Sequence, residues 1–334
     1  MSASPWDAVV ELKQALYGTP EEPRDHPTLT HVDASLIEML VSRLHEMPFE
    51  CRCDATQVFT AVLRKEPAAI AWLLPSLERA DGGGGGGGGS SSDEGGGSSG
   101  SDGGGDRGGG VLLGLLAGCT APETAIHCGT MLREAIRHEP LARWLLGAPS
   151  TFPIICRCLE SEHFDVASDA FATARDLLTR HRSLVAAFLE AHYDAFFAQF
   201  ARLIRSPSYV TKRQSLKLLS EILLDRANFA IMTRFIASPE HLKAIMGLLR
   251  DPSPSIQFEA FHVFKIFVAN PYKAGVVLEL LRRNRERLLA FLESFLPARA
   301  LTDDGFRDEK AFTMDQMRKL EPWNQQGATA RAEA

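Results

Sequence analysis

The chain has 334 residues, 45% of them hydrophobic, and a formal net charge of −6. That is enough apolar material for one elongated domain or two compact ones. The negative balance excludes bulk attraction to nucleic acid or acidic membranes, so any basic site has to be local. The six cysteines (Cys51, Cys53, Cys119, Cys128, Cys156 and Cys158) are too sparse for a disulfide scaffold.

Residues 1–81 open with MSASPWDAVVELKQALYG, which has neither the basic nor the apolar region of a signal peptide. The remainder of this segment carries helical spacing, as in VFTAVLRKEP. Residues 82–110 contain only Gly, Ser, Asp, Glu and one Arg. Such a stretch has nothing to bury against its ordering entropy, so a disordered insertion is expected. It lacks the Lys and the glycine spacing of a phosphate-binding loop. The apolar run GVLLGLLAG at 110–118 is too short to span a bilayer. Residues 111–322 are predicted to be helical throughout, because apolar positions recur at spacings of three and four and none alternate over strand length. Residues 323–334 are expected to form a flexible tail. Together these features predict a cytoplasmic protein without a membrane segment.

Two helices stand out in the C-terminal part. In RQSLKLLSEILLDR, the side chains of Leu216, Leu219, Ile222 and Leu223 form one apolar stripe, with Arg213, Lys217, Ser220 and Glu221 on a flanking polar arc. SIQFEAFHVFKIFVANP is apolar nearly all round, carries Phe258, Phe261, Phe264 and Phe267, and has to be covered on most sides until Pro271 ends it. The helices repeat. The pairs Arg180-His181, Asp225-Arg226 and Asn270-Pro271 follow one another at 45 residues, and His138 precedes the first by 43. The offset from Pro67 to Pro140 becomes 44 once the 29-residue glycine segment is removed. A period of ~40–47 residues is that of HEAT or armadillo units, each of which buries its apolar face against its neighbours. The expected fold is an all-α, right-handed helical-repeat solenoid with a concave face and a disordered Gly/Ser-rich insertion.

A search for chemistry returns little. Cys51-x-Cys53 and Cys156-x-Cys158 point their thiols to different sides of a helix and lack a second ligand pair at zinc spacing. No H-E-x-x-H occurs, and His138 and His181 sit near helix ends where an imidazole can meet terminal carbonyls. LTDDGFRDEK puts Ala300 and Ala311 at the outer ligand positions of a calcium loop, which excludes an EF-hand. No nucleophile elbow, kinase signature or nucleotide fingerprint is present. The expectation is a binding scaffold without catalytic residues, metal or cofactor.

The repeat arithmetic sets Phe164 and Tyr209 at equivalent helix starts, and Arg213 and Lys217 follow Tyr209 along one side at steps of four. An aromatic–arginine patch has the composition of a protein-binding hot spot. Composition leaves open whether these groups bind a partner or whether the aromatics staple the core and the cations, including Lys212, only solvate. It also leaves open an adaptor for other protein cargo or for nucleic acid.

The segments YVTKRQSLKLLSEILLDRANFAIMTRFI, IQFEAFHVFKIFVANP, FDVASDAFATARDLLTRH and CGTMLREAIRHEPLA resemble the mouse-protein-25 family, also called calcium-binding protein 39 and, in fungi, hymA-like. The likeness is close from about Thr124 to Pro271 and continues to about Pro322; before the insertion it rests on LYG at 16–18 and VFTAVLRK. It implies an armadillo-like rod with no catalytic activity. It further implies a scaffold, monomeric outside its complexes, that binds and activates sterile-twenty-family kinases or pseudokinases and can join a second kinase in a ternary complex. Roles in signal transduction and cell polarity go with it. Two surfaces carry over: a concave face at Phe164, Tyr209 and Arg213, and a C-terminal pocket for a Trp-Glu-Phe tail at Lys217, Met246 and Arg283. The family usually has Lys where this chain has Arg283. This chain also departs from the pattern in a shorter N-terminus, in Ala174 for a usual aromatic, and in the insertion.

Overall fold

The computed structural model describes residues 6–17, 34–65, 68–74 and 107–321. The chain divides into two compact units, Met1–His181 and Arg182–Ala334, and all regular structure among the described residues is helical. The bulk of the glycine insertion and the tail at 323–334 lie outside the described residues.

The first unit contains α1 (Asp7–Tyr17), α2 (Ala34–Ser42), α3 (Phe49–Lys65), α4 (Ala68–Leu73), α5 (Arg107–Gly118), α6 (Ala125–Ile136), α7 (Glu139–Gly147), α8 (Thr151–Leu159) and α9 (Phe164–Thr179). Its spine is three long helices packed in series, α3 on α6 and α6 on α9. Carboxylates tie them: Arg64 of α3 donates twice to the buried Glu134 of α6 at 2.9 Å, and Arg133 of α6 lies 2.8 Å from the half-buried Asp169 of α9. Gly129 permits the second contact, because a side-chain carbon there would collide with the Asp169 carboxylate. The Nε2–H of His181 donates to the last carbonyl of α6, Ile136, at 2.7 Å, the helix-end use expected of it. Composition assigned residues through 110 to the insertion, but α5 begins at Arg107. The apolar continuation from Val111, which packs on α6 and α2, carries the helical backbone back through Gly108–Gly110.

The second unit contains α10 (Arg182–Ala191), α11 (Tyr193–Leu203), α12 (Tyr209–Leu224), α13 (Phe229–Ile236), α14 (Pro239–Leu248), α15 (Pro254–Ala269), α16 (Gly275–Glu293), α17 (Pro297–Thr302) and α18 (Asp304–Arg318). Its spine is α12 on α15 and α15 on α18, with α14 laid on α15 and α16. The helices α9, α12 and α15 each run 16 residues, and their starts at 164, 209 and 254 keep the 45-residue period. As its composition requires, α15 is enclosed: Phe261, Phe264 and Phe267 are no more than 1% exposed. Burying each ring contributes about 1.5–3 kcal/mol. Asp303 caps α18 by accepting from the Phe306 N–H at 2.9 Å, so LTDDGFRDEK is a helix start. No helix among the described residues is long and apolar enough to cross a membrane.

Candidate functional site

Helix α12 begins where the Ser208 hydroxyl accepts the Thr211 N–H at 3.3 Å. This cap satisfies one of the free donors of the first turn and fixes where the helix starts. Tyr209 is therefore its first residue, and Arg213 and Lys217 follow on the same side one and two turns later. Leu216, Leu219, Ile222 and Leu223, on the flanking stripe, are all buried. The polar arc is narrower than composition suggested. Ser220 is buried together with Thr211 and Ser215.

Tyr209 is 46% exposed, too open for a core staple. The Nε of Arg213 lies 3.6 Å from Glu259 Oε1 on α15, and no hydrogen bond to that Nε occurs among the described residues. Charge attraction therefore holds the guanidinium. Burial pushes the Glu259 carboxyl above the usual range, opposed by the positive charges of Arg213, Lys217 and Arg299 in that order. Lys217 is exposed. The result is a solvent-facing strip of one aromatic and two cations above a single sunken carboxylate. Lys212, for which solvation had sufficed, is ion-paired with Asp251 at 3.0 Å and its side chain is only 21% exposed. It ties α12 to the turn before α15.

Met246 is half-buried on α14, and the exposed Arg283 on α16 pairs with Glu279 one turn before it. The two helices that carry them pack together. Phe164 belongs to the first unit, where it is the first residue of α9 and 65% exposed. Ala174, the departure on α9, is 1% exposed and part of the core. Sequence reasoning missed Glu259 and Asp251. No signal along the chain marks either, because each pairs with a cation on another helix.

Comparison with known proteins places the chain as a whole. A family model described as Mo25-like matches residues 7–321. The chain is 43% identical over 316 residues to a human protein named calcium-binding protein 39-like, covering 95% of this chain and 80% of that one. It is 50% identical over 314 residues to a Mo25-like protein of Schizosaccharomyces pombe, covering 92% and 86%. It is 38% identical over 308 residues to the conidiophore development protein hymA of Emericella nidulans, covering 85% and 74%.

Proposed function

The chain belongs to the Mo25-like family, and from that premise we propose that it is a non-catalytic scaffold for kinases or pseudokinases of the sterile-twenty family. The observation that carries this reading is the strip on α12, where exposed Tyr209 and the charge-held Arg213 offer the residue types that dominate protein interfaces. Phe164 supplies a second exposed aromatic at the equivalent helix start. The kinase presents its regulatory helix to these side chains. By binding the active-like arrangement better than the inactive one, the scaffold shifts the kinase population toward activity. Lys217, Met246 and Arg283 take a Trp-Glu-Phe-like tail, the cations meeting its carboxylates and the thioether adapting to its rings. Two attachments on one partner raise the effective concentration at each. A second kinase joins the pair in a ternary complex. Both cations that a nucleic-acid ligand would use, Lys212 and Arg213, already face carboxylates, which favours a protein partner.

The test is co-purification with a sterile-twenty-type kinase from native cells, together with kinase activity. Phe164→Ala, Tyr209→Ala and Arg213→Ala each lower recovery about fivefold or more and leave thermal unfolding in place. Wild-type recovery and activation with all three variants would refute the docking assignment. Titration with a peptide ending in Trp-Glu-Phe checks the second attachment, and equal affinity for wild type and Met246→Ala would remove it.

A further inference from the structure

A groove in the second unit, between α11, α13 and α14, has no part in the strip on α12. Its volume is about 550 Å³, within the range of ligand sites. Its walls are aromatic. Phe197 packs on Tyr193 with ring centroids 4.5 Å apart, on Phe235 at 5.2 Å and on His241 at 6.0 Å. Phe235 and His241 stack at 4.1 Å. Ala198, Ala201, Ala237 and Ala244 also line it. His241 donates Nδ1–H to the Phe235 carbonyl at 3.1 Å, and burial holds its pKa below the usual value. This wall is a neutral ring near pH 7.

Two polar groups in the groove lack partners among the described residues. Tyr193 is 6% exposed, yet its hydroxyl is buried without a hydrogen bond. Arg234 covers the Tyr193 ring at 3.8 Å and is itself neutralised by Asp194 at 2.8 Å. At the other end, exposed Arg205 has no ion pair among the described residues. Tyr193 opens α11 and Arg205 lies in the turn two residues past its end, so helical rise sets their Cα atoms at most about 18 Å apart. That is too long for a single-ring ligand and matches about five residues of extended chain. Phe197 lies eight residues before Arg205, about 12 Å, or three to four extended residues.

We propose that this groove docks an extended, acidic-aromatic segment of a partner protein. An aromatic side chain enters among Phe197, Phe235 and His241, a carboxylate three residues further on pairs with Arg205, and a peptide carbonyl accepts the Tyr193 hydroxyl. The charge complement points to an acid at the Arg205 end, since the only cation at the other end, Arg234, is already paired with Asp194. The kinase-docking strip stands or falls separately, because α12 contributes only Leu219 to this groove.

The experiment is calorimetric titration of the full chain with acetyl-Gly-Phe-Ser-Gly-Glu-Gly-amide. Saturable binding is expected, weakened about tenfold by Tyr193→Phe and by Arg205→Gln. Tyr193→Phe leaves the unfolding temperature unchanged or raised, since the hydroxyl has no protein partner to lose. Replacing the probe's Phe by Ala, or its Glu by Gln, weakens binding to a similar degree. No saturable binding up to millimolar probe would overturn the proposal, as would wild-type affinity in both protein variants. Equal affinity for indole-3-acetate would also overturn it, because the site would then be a pocket for a small aromatic acid.

Discussion

Glu259 is where stability and docking separate. Its carboxyl is buried on α15 and holds Arg213 of α12 from below. Because burial raises its pKa, the folded state favours the protonated form. Its favourable contribution is complete below the unfolded carboxyl pKa and is lost as the pH rises through the folded value, so at neutral pH the ionised group opposes folding. Glu259→Gln removes that cost. The Arg213 side chain left behind is 42% exposed and can hydrate, so it avoids the penalty of a charge stranded in the core. Scanning calorimetry at pH 7 is expected to show unfolding at or above the wild-type temperature, with the difference fading toward pH 4. Kinase recovery is expected to fall several-fold, because Arg213 has lost its tether. A clearly lower unfolding temperature would show instead that the pair is net stabilising.

At the scale of the element, α9, α12 and α15 are the same 16-residue helix with different outer faces. α15 is closed on nearly every side and α12 keeps one open edge, so substitutions on them act differently. Phe264→Ala, at a fully buried position, is expected to cost about 3–5 kcal/mol, read as a lower denaturation midpoint. Ser208→Ala removes the cap of α12 and costs about 1 kcal/mol, a fall of about 2–4 °C in melting temperature. Because Ser208 fixes where α12 starts, fraying there also weakens partner binding through Tyr209. The period, the lengths and the apolar stripe of these helices were legible because 3.6-residue spacing is a local property of the chain. The carboxylate under Arg213 was not, since an ion pair between helices leaves no local pattern. The same holds for Lys212, whose partner Asp251 is 39 residues away. The glycine boundary slipped by four residues for a related reason: composition disfavours helix at Gly108–Gly110, and packing of the apolar stretch behind them overrides it.

For the whole molecule, each unit carries histidines that burial holds below their ordinary pKa, His127 and His138 in the first and His241 and His262 in the second. A group whose folded pKa is depressed contributes stability above its unfolded value, and that contribution is lost as the pH falls through the folded one. Denaturant unfolding is therefore expected to show stability falling from pH 7 to pH 5 in both units. The raised carboxyls of Asp169 and Glu259 act with the opposite sign and offset part of the loss. His241→Gln should flatten the profile of the second unit alone. An unchanged profile would mean that this imidazole charges without cost in the fold.

Amino-acid order by itself determined the helical class, the 45-residue period, the family and the candidates Phe164, Tyr209, Arg213, Lys217, Met246 and Arg283. The class and the period follow from spacing along one chain, since helices and repeats are written in spacing, whereas the tail-pocket residues Lys217, Met246 and Arg283 come from the family resemblance. Only the tertiary structure decided which cations are already matched, Lys212 by Asp251 and Arg213 by Glu259. It also decided that three helices would leave an aromatic groove with a tyrosine hydroxyl at one end and an arginine at the other that have no partner among the described residues. Charge pairing and cavities arise between elements, where a residue's partner is set by packing and not by its neighbours in sequence.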